Sequence, residues 1–213
     1  MYTLFGTRGS GSAIIELALE RAAQPYRLLR ASAWEPDSAQ DELRRHNPLL
    51  QVPTLLLPDG TVMSESAAIL IHLGLVHPES RLLPEDPAGR ARVMRGLVFI
   101  AANCYSAITL LDYPERFCEP LEAPQREALL RGTRAQLHRQ WELFADLFGG
   151  FGGGPCLNGA QPGALDFMAL VVSRWSGSRQ HLAQTRPAFH AQLQALEARP
   201  ELAALLARHW PPA

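Results

Sequence analysis

The spacing of apolar residues divides the chain into two regimes. In the first, short apolar runs alternate with helical patterns. Residues 2–6 predict a strand, and residues 13–23, dense in Ile14, Ile15, Leu17, Ala18 and Leu19, predict a helix buried on a sheet. Residues 25–29 predict a second strand, parallel to the first across a right-handed crossover. A polar turn at 33–37 leads to a short surface helix over 38–45, which ends before Asn47-Pro48. Two further apolar runs, 52–57 and 61–63, flank Pro58-Asp59-Gly60 and predict a hairpin. Ser66 then reads as the cap of the apolar helix 67–76. The predicted order is β-α-β-α-β-β-α. A proline-rich stretch, Leu82 to Pro87, separates this from a second regime with no strand alternation. There the spacing predicts helices over 88–111, 124–147, from Gly163 onward, 187–195 and 201–209. A break falls near Asp112-Tyr113-Pro114 and a glycine loop at 148–155. The expected organisation is an α/β domain at 1–78, a linker at 79–87 and an all-helical domain at 88–213.

The chemistry concentrates between Asn47 and Leu70. Pro53 opens a strand, where proline is tolerated because no ladder donor is needed. It leaves the backbone of Val52 free to pair with an extended peptide. Glu65 and Ser66 stand at a helix start, whose amides and dipole favour an anion. Together these features suit a small peptide with a free carboxylate.

Asn47-Pro48, Gln51-Val52-Pro53-Thr54-Leu55 and Glu65-Ser66 resemble the glutathione-site core of the glutathione transferases. That resemblance implies a thioredoxin-like N-terminal domain followed by a helical-bundle domain that supplies an electrophile pocket. It implies that Val52, across a cis bond to Pro53, pairs with the cysteinyl part of glutathione, and that Glu65 and Ser66 hold its γ-glutamyl end. Arg8 and Gln51 are candidates for its glycyl end. The thiolate needs a hydroxyl donor near a helix start, and Arg8-Gly9-Ser10-Gly11-Ser12 offers Ser10 and Ser12. Ser10 falls where serine-type members carry their hydroxyl, and Ser12 also reads as a helix cap. Gly11 falls where bacterial cysteine-type members carry cysteine, so no mixed disulfide is expected. Asn103, Tyr105 and Ile108 are the expected pocket residues of the helical domain, and Tyr105 is a further candidate donor to substrate or sulfur. Trp175 and Trp210 are candidates for the pocket's far side. At the start of one buried helix members of the family commonly carry Ser or Thr, then Asp three residues on. Here Gly163 and Asp166 stand in those places, which weakens the cap. A homodimer is a further expectation.

Composition narrows the alternatives. Net charge is −1, with 47% hydrophobic and 19% charged residues, so no field draws the chain to nucleic acid or an acidic membrane. All 20 basic residues are arginine, read as coding bias. The first residues lack a signal-peptide pattern and no run of about 18 apolar residues stands out, so a cytoplasmic protein is expected. Cys104, Cys118 and Cys156 show no disulfide or zinc spacing and read as small buried hydrophobes. The histidines show no ligand spacing, His138 and His181 read as solvated, and no metal is expected. The resulting expectation is a detoxifying glutathione transferase that uses glutathione as co-substrate against small hydrophobic electrophiles. The alternatives are a glutathione-dependent isomerase, a disulfide reductase, or a non-catalytic scaffold of the same fold.

Overall fold

In the computed structural model, which describes residues 1–32, 37–118, 120, 122–150 and 154–211, the first regime is a four-stranded sheet of order β2-β1-β3-β4. β1 (Tyr2–Gly6) runs parallel to β2 (Tyr26–Arg30), with Leu4 opposite Leu28. The helix α1 (Ser12–Arg21) makes the crossover. β3 (Thr54–Leu56) lies antiparallel to β1, and β4 (Val62–Met63) antiparallel to β3. The hairpin turn forms as its residues dictate. Gly60 takes a positive φ of 88°, and the Asp59 carboxylate accepts from the Thr61 amide at 2.9 Å.

One face of the sheet is covered by α1 and α3 (Ser66–Val76). On the other, α2 (Gln40–His46) closes a small cluster of Phe5, Ala31 and Leu43. The second regime is mainly helical, with no strand longer than the isolated Cys156–Gly159 bridge among its described residues. α4 (Pro87–Phe99), a π-helical segment (Ile100–Tyr105) and α5 (Ser106–Asp112) follow one another without a break. They are followed by α6 (Ala123–Phe148), α7 (Ala164–Val172), α8 (Ser178–Thr185), α9 (Pro187–Glu197) and α10 (Pro200–His209). Every residue of α7 is buried, and it packs on α1, α3, α4 and α9. One continuous core therefore joins both halves.

α7 starts without a capping hydroxyl, as Gly163 predicts. Its first turn is held instead by Asp166, which accepts from the amides of Leu157 (2.6 Å), Asn158 (3.1 Å) and Gly163 (3.0 Å). Burial pushes the Asp166 carboxyl up to about 6 while those amides pull it down. Asn158 fills the space above Gly163 and donates to the Leu82 carbonyl at 2.8 Å.

Several sequence expectations change. Ser66 is the first residue of α3, not its cap; the cap is Glu65, at φ 65° and ψ 105°. α8 was not expected, because its polar sequence SRQHLAQT lacks an apolar stripe. The stretch Pro87–Asp112 is, by length and composition alone, long and apolar enough to cross a membrane, against expectation. Its buried residues Val93, Leu97, Ile100 and Cys104 make it a bundle helix. Cys118 is exposed, while Cys104 and Cys156 are buried. His138 and His181 are stacked at 4.3 Å instead of solvated, and His181 also bonds Glu142 at 2.6 Å. The polar turn expected at 33–37 and the glycine loop at 148–155 fall partly outside the described residues.

Candidate glutathione site

The loop between α2 and β3 is tied by two polar side chains. Asn47 Nδ2 donates to Thr54 Oγ1 at 2.9 Å and to the Gln51 carbonyl at 3.3 Å, and Thr54 Oγ1 donates to that carbonyl at 2.8 Å. This knot presents Gln51 and Val52 at the rim, with the Val52–Pro53 bond cis. Among the described residues nothing pairs with the Val52 backbone. Beside it lies the N-terminus of α3, with Glu65 exposed and Ser66 buried.

Across from this edge is the loop from Thr7 to Gly11, at the N-terminus of α1. Ser10 Oγ donates to the Thr7 carbonyl at 2.7 Å, and Ser12 Oγ donates to the same carbonyl at 3.2 Å. The two serine oxygens stand 3.0 Å apart. Gly9 takes a positive φ of 73°, and its amide donates to His209 Nδ1 at 3.1 Å. With Nδ1 accepting, His209 carries its proton on Nε2 and donates it to the buried Glu16 carboxylate at 2.7 Å. Glu16 also accepts from the Tyr26 hydroxyl at 3.2 Å. A relay of Glu16 and His209 thus braces the loop from below. Nothing in the sequence marked it, since 193 positions separate the two residues.

These surfaces and the π segment of the helical half enclose a cleft of about 790 Å³. Of the residues singled out from sequence, Arg8, Ser10, Gln51, Val52, Pro53, Glu65, Ser66, Tyr105, Ile108 and Trp175 line it. Three do not. Ser12 is fully buried beneath the loop. Asn103 turns along its own helix, where Nδ2 donates to the Phe99 carbonyl at 3.1 Å. Trp210 lies under the Arg174 guanidinium and beside His209. Met168, Ser176 and Arg116 line the cleft without having been expected. Arg116 sits 3.9 Å over the Tyr113 ring, in the break that the Tyr113-Pro114 pair marked only as a bend. Among the described residues no cluster of three or more His, Cys, Asp or Glu side chains could hold a metal.

The comparisons with known proteins agree with this geometry. The family model "Glutathione S-transferase, N-terminal domain" matches residues 12–75. The probable glutathione S-transferase BZ2 of Zea mays is 32% identical over 177 residues, covering 78% of this chain and 70% of that protein. The chain belongs to the glutathione S-transferase family. The uncharacterized GST-like protein YncG of Escherichia coli is 39% identical over 130 residues, 59% of this chain and 60% of YncG. A probable maleylacetoacetate isomerase of Caenorhabditis elegans is 32% identical over 103 residues, 48% of this chain and 46% of that protein. The chain thus spans about half to three-fifths of the length of these two relatives. Among solved glutathione S-transferases, a Sulfitobacter homologue with bound glutathione superposes with a TM-score of 0.81 at 23% identity, covering 96% of each chain. One from Methylobacterium radiotolerans, in complex with glutathione sulfonate, gives 0.73 at 27% identity, covering 96% of this chain and 94% of that one. The family fold is therefore present in full, a thioredoxin-like domain followed by a helical one.

Proposed function

We propose that the protein is a glutathione transferase that binds glutathione in this cleft and activates its thiolate against small hydrophobic electrophiles. The observation that carries the reading is the Val52 backbone, unpaired among the described residues, in one cleft with the N-termini of both α1 and α3. An extended peptide pairs with Val52. Its γ-glutamyl carboxylate meets the first-turn amides of α3, and its ammonium meets Glu65. Arg8 and Gln51 take the glycyl carboxylate. A thiolate then falls at the N-terminus of α1, where the helix dipole favours negative charge. Attack of the thiolate on an electrophilic carbon forms the thioether, and the electron pair leaves with the displaced group or enters the activated π system. The electrophile packs against Ile108, Met168 and Trp175. The protein is further taken to act in the cytoplasm as a homodimer, in keeping with the family.

A second reading, glutathione-dependent isomerisation, is favoured by the isomerase relatives and by Arg8 and Arg116, two cations at the cleft with no ion pair among the described residues. Against it, the loop Arg8-Gly9-Ser10-Gly11-Ser12 departs from the Ser-Ser-Cys pattern of that branch.

Calorimetric titration with reduced glutathione, run beside ultraviolet thiolate absorbance at neutral pH, tests the reading. Saturable binding with a thiolate signal is expected. Absence of binding would sink it and leave the scaffold alternative.

A further inference from the structure

The loop serines, expected to serve the sulfur, have committed their protons. Ser10 Oγ gives its single proton to the Thr7 carbonyl at 2.7 Å and accepts from the Ser12 amide at 3.2 Å. Ser12 is buried and donates to the same carbonyl. A different hydroxyl occupies the place where the two helix N-termini meet. Gly11 caps α1, and the space that its missing side chain leaves is filled by the Tyr105 phenol. A β-carbon on Gly11 would strike Tyr105 Oη, and it would stand 3.3 Å from Pro53 Cδ. The Ser66 side chain at the start of α3 lies near the same phenol and lines the same cleft. Among the described residues the phenol has no hydrogen-bond partner, and Tyr105 lines the cleft, so its O–H is available to a ligand there.

Two features hold the ring there. Tyr105 is the last residue of the π segment, whose wider turn shifts the side chain relative to a regular helix. The Trp175 indole packs edge-on against it, with centroids 5.6 Å apart. Burial and the nearby Glu65 charge raise the phenol's pKa, so it keeps its proton at neutral pH.

Resting on the reading that glutathione occupies this cleft, we infer that Tyr105 of the helical half, and not a serine of the loop, is the catalytic hydroxyl that hydrogen-bonds the glutathione sulfur. The thiol loses its proton to water at the open mouth of the cleft. Tyr105 keeps its O–H bond and donates to the S⁻ that remains, so no bond to the tyrosine breaks. Activation of the thiol thereby depends on the helical half being docked on the sheet.

The test compares wild type with Tyr105→Phe, Ser10→Ala and Gly11→Ala, using reduced glutathione and a chloronitroarene as probes. Each protein is checked for native circular dichroism. The readouts are glutathione affinity by calorimetry, the pH titration of the bound thiolate by absorbance, and turnover. A lost hydrogen bond to an anion amounts to about one to two pKa units. Tyr105→Phe should therefore raise the pKa of the bound thiol by about that much and lower turnover about tenfold or more, with affinity changed less than about threefold. Gly11→Ala keeps the phenol but displaces its oxygen, and its backbone φ of −62° suits alanine. It should raise the thiol pKa in the same direction. Ser10→Ala should move it far less. An unchanged thiol pKa in Tyr105→Phe with a raised one in Ser10→Ala overturns the assignment while leaving glutathione binding intact. A wild type that binds no glutathione overturns the proposed function itself.

Discussion

Serine at position 163 should destabilise this protein, although it is the side chain that family members commonly carry there. Gly163 has an extended backbone, φ −144° and ψ −158°, which serine adopts freely. At a helix N-cap, serine exceeds glycine by a few tenths of a kcal/mol. Here, however, a β-carbon lands on the Asn158 side-chain amide and comes within 2.9 Å of the Leu82 carbonyl oxygen. Asn158 cannot swing aside without breaking its 2.8 Å bond to Leu82, a loss of about 1 kcal/mol. If it stays, the start of α7 must shift, at an overpacking cost of about 1–3 kcal/mol. Gly163→Ser is therefore expected to lower unfolding free energy by about 1–2 kcal/mol. Asn158→Ala alone should cost about 1 kcal/mol, because the Leu82 carbonyl keeps the Ala164 amide at 2.9 Å. With Asn158 gone, only the 2.9 Å approach to the Leu82 carbonyl remains, so serine should cost less in that background than in wild type. The coupling between the two sites then comes to about 1 kcal/mol. Urea denaturation of the four proteins with a common m-value measures it. A stabilised Gly163→Ser protein, or strict additivity of the two changes, would refute the reasoning.

The site itself offers further tests. Ser66→Ala should weaken glutathione binding by about 1–2 kcal/mol, and unchanged affinity by calorimetry would remove Ser66 from the site. Glu65 holds a positive φ that costs a non-glycine residue of order 1 kcal/mol. Glu65→Gly should therefore raise stability slightly in a thermal melt while glutathione affinity falls, and a loss of both would contradict the strain argument. His209→Ala leaves the buried Glu16 with the Tyr26 hydroxyl but without its shortest hydrogen bond and should cost about 2 kcal/mol. Adding Glu16→Gln should return part of that stability but not the slow amide exchange of Gly9, whose acceptor is still missing. Because the folded Asp166 carboxyl, at about 6, holds its proton more tightly than in the unfolded chain, its contribution to stability is full at low pH and is lost as pH rises from about 4 through about 6. The stability of wild type relative to Asp166→Asn should fall over that window and level above it; a flat difference would show that the three amides balance burial, and a rising one that they outweigh it.

The thioredoxin-like half was legible because its signals are local. Proline at a strand start, Pro58-Asp59-Gly60 between two apolar runs, and dense apolar spacing in α1 each specify one element within a few residues. The residues around Val52, Glu65 and Ser66 were legible for the same reason. What stayed hidden depends on contact across the chain. Ile100–Tyr105 reads as ordinary helix, and only packing against α6 and α7 shows the wider turn that aims Tyr105. Ser12 stood as a second candidate beside Ser10, since burial under the loop carries no sequence mark. The Asn158 side chain explains why glycine replaces a capping residue at 163, but it does so from a loop whose course no periodicity describes.

The hydrogen bond from Gly9 to His209 joins residues 200 positions apart. On the ribosome the sheet and α1 emerge first and can fold early. The loop that shapes one wall of the cleft is then still missing its brace, and it gains that brace only after α10 has been synthesised and docked. A chain stopped short of His209 would keep its core strands and the loop's local hydrogen bonds yet lack this brace. The final bracing of this cleft wall is thus a late event in biosynthesis, and it reports that α10 has been made and docked.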